Sequence, residues 1–146
     1  MGKNVLPEEL RKKLQPIMRD HGLAKFGDTL TNFIYSLAKT NVQGEAVGIR
    51  VYDKALAEVI RQTGLRSVMQ SSSSSGDLGD GTEALLGYAY LNEIMTIEEM
   101  VALIISYLET VPKENLIERS KERENMIESF VKIVEEIIER IKQIIE

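Results

Sequence analysis

At 146 residues the chain is long enough to bury one substantial core, and 43% hydrophobic against 28% charged residues is the balance of a globular protein. The absence of cysteine and the single histidine, His21, exclude disulfides, thiolate zinc sites, cysteine nucleophiles and histidine-rich metal centres, so any chemistry here falls to carboxylates. The net charge of −5 is unevenly spread: residues 1–70 hold eleven Lys and Arg against seven acids, a balance of +4, and residues 71–146 hold seven against sixteen, a balance of −9.

No apolar run approaches the roughly 20 residues that span a bilayer. The stretch Met1-Gly2-Lys3-Asn4-Val5-Leu6-Pro7 lacks the apolar centre of a secretion signal, so a cytoplasmic location without membrane contact is expected. Pro7-Glu8-Glu9 reads as the first turn of a helix that runs to about Asp20, disturbed near Pro16. His21, next to Gly22, reads as a loop or helix-end residue. Residues 23–39 form a second helix whose apolar stripe is Leu23, Phe26, Leu30, Phe33, Ile34 and Leu37. Arg11, Lys12, Lys13, Arg19 and Lys25 make either a basic patch or an ordinary solvated face.

Asn41 to Gly48 is a loop, and a third helix spans about Val51 to Gln62, stopping near Gly64. Residues 70–81 hold five consecutive serines, Ser71 to Ser75, followed by Gly76, Asp77, Gly79 and Gly81. The stretch reads as a mobile break, or as a loop that closes over a ligand. A buried helix follows from about Asp80 to Leu91. Thr96-Ile97-Glu98-Glu99 reads as a capping box opening another helix, to about Glu109. Residues 113–146 carry Ile127, Val134 and Ile141 at seven-residue spacing within a broad stripe. They read as one long helix docked on the core or joining a dimer interface. No segment alternates cleanly enough for a strand. The expectation is one all-α domain over residues 1–146.

Helical geometry gives three acids meaning. Asp80 and Glu83 are about one turn apart, with Ala84 and Gly87 on the same side. Asp28 shares its side of the second helix with Ala24, Thr31 and Tyr35, away from the apolar stripe. Three carboxylates on two helices, flanked by small residues, are the oxygen donors a hard divalent cation needs. The alternative is structural: Asp80 as a helix-start acid satisfying free amides, Glu83 as an ordinary first-turn acid, Asp28 as a solvated side chain.

The words around these acids favour the first reading. Gly79-Asp80-Gly81-Thr82-Glu83-Ala84-Leu85-Leu86-Gly87 resembles the second motif of the ribonuclease III family, where an acid three residues before Glu precedes Ala-Leu, an apolar pair and Gly. Leu23-Ala24-Lys25-Phe26-Gly27-Asp28-Thr29-Leu30 is similar to the family's first motif. Lys54 to Leu65, ending in Gly-Leu, looks like its connecting helix. The resemblance covers about residues 23–108 and looks most like a divergent archaeal branch; the Lys, Glu and Ile-rich make-up suits a thermophile.

The resemblance implies a ribonuclease III-type, all-α endonuclease domain that works as a homodimer on double-stranded or structured RNA with Mg²⁺ (or Mn²⁺). Asp28 matches the first motif's aspartate, Asp80 the second motif's first acid and Glu83 its glutamate, the most important of the metal ligands. Asp77 is a possible further acid. The full-length bacterial enzymes have a glutamate where this chain has Ala24; the family's minimal version also has a small residue there. No double-stranded-RNA-binding domain follows, so residues 113–146 are expected to be an acidic helix and the nuclease dimer to grip RNA itself, through Lys25, Lys54 and Arg61. Two other readings remain: a catalytically weak or inactive RNA-binding relative, motivated by Ala24, and a helical protein-interaction module using the Ile-rich C-terminal stripe.

Overall fold

The computed structural model describes residues 5–146. Met1 to Asn4, part of the stretch read above for a secretion signal, lie outside the described residues. Seven α-helices follow in chain order: α1 (Glu8–Met18), α2 (His21–Gln43), α3 (Asp53–Gln62), α4 (Ser75–Leu91), α5 (Ile97–Leu108), α6 (Lys113–Ile117) and α7 (Arg119–Ile145), with a short 3₁₀ turn at Gly64–Ser67. There is no strand among the described residues, so the all-α expectation holds. Among the described residues, no helix is long and apolar enough to cross a membrane.

Helix α4 is the axis of the fold. It packs most extensively on α2 and α3 and also meets α1 and α7, while α5 bridges α2 and α7. From Leu78 to Ala89 every residue except Asp80 and Tyr88 is buried, which is the signature of a helix surrounded by others. Its start corrects the sequence reading. The helix begins at Ser75, not at about Asp80, because the last serines are cap material rather than mobile linker. The Ser74 hydroxyl accepts from the Asp77 amide at 3.1 Å and the Asp77 carboxylate accepts from the Ser74 amide at 3.0 Å. The preceding loop is also tied down: the Arg66 guanidinium donates to the carbonyls of Met69, Gln70 and Ser71. Asp77 is thereby a capping residue, and Asp80 lies in the second helical turn, where it caps nothing.

Two glycines let α2 and α4 touch backbone to backbone. A Cβ on Gly27 would stand 1.8 Å from the Glu83 carbonyl oxygen, and one on Gly87 would stand 2.8 Å from the Leu23 carbonyl oxygen. No other residue permits this approach. The contact also explains why the buried face of α2 is not the stripe read from its sequence. Ala24, Gly27, Leu30, Thr31, Ile34, Tyr35, Ala38 and Lys39 face inward, whereas Phe33 is 52% exposed and Phe26 37% exposed. Small residues, Ala24 and Gly27, take the interior where α4 comes so close, and Phe26 and Phe33 are left outside.

The C-terminal segment differs from the single helix expected over residues 113–146. It breaks at Glu118, whose backbone is extended (φ −84°, ψ 121°). The break frees carbonyls that a continuous helix would have used, and side chains take them up. Lys39 Nζ donates to the Leu116 carbonyl at 2.6 Å and to the Glu122 carboxylate at 2.9 Å. Asn125 donates to the Asn115 carbonyl at 3.3 Å, and the buried Tyr35 hydroxyl donates to Glu122 at 2.6 Å. A lysine inside a core is tolerated only with such partners. Beyond the break α7 docks Met126, Phe130, Ile133, Val134, Ile137 and Ile141 on the core, and Arg140 ties it to the Glu99 carboxylate at 2.9 Å and the Ile94 carbonyl at 2.8 Å. Glu99 is itself half of the expected Thr96 capping box on α5.

Candidate active site

The three acids singled out in the sequence meet in one place. Asp28 comes from the second turn of α2, and Asp80 and Glu83 come from successive turns of α4. Together with His21, Ala24 and Lys25 they line a cavity of about 260 Å³. Their meeting follows from the glycine contact. Gly27 presses on the Glu83 backbone, so its neighbour Asp28 is brought alongside the Glu83 side chain. Ala24 adds only a methyl group to the wall, so the space between the helices stays open.

Electrostatics make the cluster costly as it stands. Glu83 is only 5% exposed. Burial first, then the hydrogen-bonding proximity and charge of Asp28, and then Asp53 and Asp80, push its carboxyl up to about 8. Asp80 also sits above its ordinary value, through desolvation, then Asp53 and Asp77, with His21 partly opposing. None of Asp28, Asp80 or Glu83 forms an ion pair with a lysine or arginine among the described residues. Acids gathered without a counter-charge, all offering oxygen, fit a hard divalent cation. No set of three or more His, Asp or Glu among the described residues closes tightly enough to hold an ion unaided. Water and a bound phosphate would therefore have to complete any coordination shell, as is usual for Mg²⁺.

A model of the family described as Ribonuclease III matches residues 21–143 of this chain. The chain belongs to the ribonuclease III family. The match begins at the first residue of α2, contains all three acids, and runs on through most of α7, beyond the end of the resemblance read from the motifs. The C-terminal helix is therefore part of the ribonuclease III match and not an addition to it. A ribonuclease or RNA-binding role comes with this membership, as does the family's general use of divalent metals. No curated protein matches the chain.

Three neighbours of the ribonuclease III acids were not read from the sequence as part of the site. Asn32, one turn beyond Asp28, donates to the Asp28 carboxylate at 3.4 Å and accepts from the Val51 amide at 2.7 Å, fixing Asp28 relative to the chain entering α3. Asp53, the first residue of α3, is the acid of that helix's first turn, and its charge reaches both Asp80 and Glu83. His21 is a helix-end residue as expected, but it stands at the mouth of the acid cavity. The five basic residues of the possible patch divide. Arg11 donates to the Leu6 carbonyl, Lys12 pairs with Glu8, and Lys13 lies 6.0 Å over the Tyr88 ring. Lys25 lines the acid cavity and Arg19 a neighbouring one.

Proposed function

We propose that the chain is a metal-dependent endoribonuclease that hydrolyses phosphodiester bonds in double-stranded or structured RNA. The observation that carries this reading is the convergence of Asp28, Asp80 and the buried Glu83 on one cavity with no basic ion-pair partner among the described residues. Glu83 and Asp28 would hold Mg²⁺ or Mn²⁺, with Asp80 on the open side. When bound, the cation supplies an activated water and neutralises charge gathering on the phosphate being cut. The protein's own contributions are positional. Asn32 orients Asp28, the packing of α2 on α4 keeps bulk water from Glu83, and exposed Lys25 at the rim meets the incoming phosphate. Lys54, also exposed, would extend phosphate contact, whereas Arg61 is partly spent on Glu58 and Ser75.

The active form would be a homodimer. Phe33, Leu37, Ile97, Val101 and Ile105 line an apolar groove of about 490 Å³ between α2 and α5. Phe26, stacked on Tyr90 at 6.0 Å, adds exposed aromatic surface from the same helix. A second copy of the chain, offering the same patch in return, is the occupant that would set two acid cavities on one RNA.

Incubating labelled duplex RNA with Mg²⁺, Mn²⁺ or EDTA, beside Asp28→Asn and Glu83→Gln, tests the site. Metal-dependent cutting that both variants lose supports it; cutting by Glu83→Gln at the wild-type rate rules the site out. Ala24 and the loose closure of the acids favour a second reading, an RNA-binding relative that does not cut. It requires RNA binding that is indifferent to Mg²⁺.

A further inference from the structure

A second cavity, of about 330 Å³, opens beside the acids and shares His21, Ala24 and Asp80 with theirs. It lies among α1, α2, α4 and the loop before α4, and it falls at the small end of the roughly 300–1,000 Å³ typical of ligand pockets. Met18, Val68 and Met69 give it apolar, polarisable walls. Gln15, Gln70 and Ser73 line it with amides and a hydroxyl, and no hydrogen bond among the described residues uses these three side chains. The loop carrying Met69 and Gln70 is held in place by Arg66.

Charge decides what such a cavity admits. Asp20, Asp77 and Asp80 line it against Arg19, so a phosphate is repelled from its interior. A flat neutral ring with an edge of donors and acceptors matches both the thioether walls and the amides. Bases stacked inside an A-form duplex cannot present that ring; an unpaired base can. We infer that this cavity receives one unpaired nucleobase of the RNA, next to the phosphate held at the acids. The inference rests on the ribonuclease reading of the neighbouring site. It makes the enzyme selective for duplexes with a bulged or mismatched nucleotide at a fixed spacing from the cut.

The test moves a single unpaired 2-aminopurine along one strand of a labelled duplex. Single-turnover cleavage in Mg²⁺ and 2-aminopurine fluorescence in EDTA are read at each position. At one position the bulged duplex should be cut about tenfold faster than the paired one, the size of one or two good hydrogen bonds. The double variant Gln15→Ala, Gln70→Ala should bring the ratio of bulged to paired rates close to one. Equal rates at every position, or a loss of the same factor on both substrates, overturns the pocket while leaving the nuclease standing. If neither duplex is cut, the nuclease reading falls. A fluorescence change that the double variant abolishes still supports the pocket, and no change at any position overturns it.

Discussion

Glu83 is the residue where burial, charge and function meet. Its side chain sits against the close approach of α2 and α4, yet no basic group among the described residues is paired with it. The consequence is a stability that depends on pH in a particular direction. With its carboxyl raised from 4.5 to about 8, the folded state keeps a proton that the unfolded chain has released between these values. Stability is therefore fully present below about 4.5 and is lost as pH rises through about 8. In EDTA, the melting temperature should fall between pH 5 and pH 8.5, and Glu83→Gln should flatten that fall and melt higher at pH 8.5. Mg²⁺ should restore part of the loss in the wild-type chain only. A melting temperature that stays level with pH in the wild type would show that Glu83 ionises without cost.

At the scale of helices, the α2–α4 crossing governs everything near the acids. Gly27→Ala places a methyl group against the Glu83 carbonyl, which forces the helices apart. It should cost about 1–3 kcal/mol in urea unfolding and remove metal-dependent cleavage, because Asp28 and Glu83 separate. Wild-type stability in this variant would mean the crossing is looser than described. The Asp28, Asp80 and Glu83 cluster was legible in the sequence because each acid sits in a distinctive local word. The helix boundaries around them were less so. A run of serines and glycines before Asp80 has the composition of a linker, and only the tertiary contact reveals Gly79 and Gly81 as close-packing residues beside Asp53 and Met18. The break at Glu118 was invisible for a similar reason: its compensation comes from Lys39, more than seventy residues away in the chain. Asn32 and Asp53 gained their roles the same way, from contacts that no periodicity records.

Considered as one molecule, the chain separates its surfaces. The basic excess of residues 1–70 supplies Lys25 to the acid cavity and Arg19 to its neighbour, while the acidic excess of residues 71–146 lies almost wholly before α7, whose own acids and bases balance. The apolar stripe read on α2 was thus half right: Leu30 and Ile34 are core, but Phe26 and Phe33 are left on the outside, where a partner would cover them. Phe33→Glu should weaken dimerisation by about 2 kcal/mol or more, roughly thirtyfold in Kd. The helical spectrum should be unchanged, since the side chain is 52% exposed. Sedimentation velocity across a concentration series would show this, and a variant that sediments like the wild type would remove the groove from the assembly.

Ala24 stands where the two cavities meet. With His21 and Asp80 it lines both cavities, and of the three it adds the least bulk, a single methyl group. A glutamate there would bring a fourth oxygen donor to the acids and, in the same step, fill the passage between them. On the proposed reading, metal affinity and access to the second cavity would be exchanged at a single side chain. An Ala24→Glu variant would, on that reading, hold the ion more tightly and accept fewer RNA shapes.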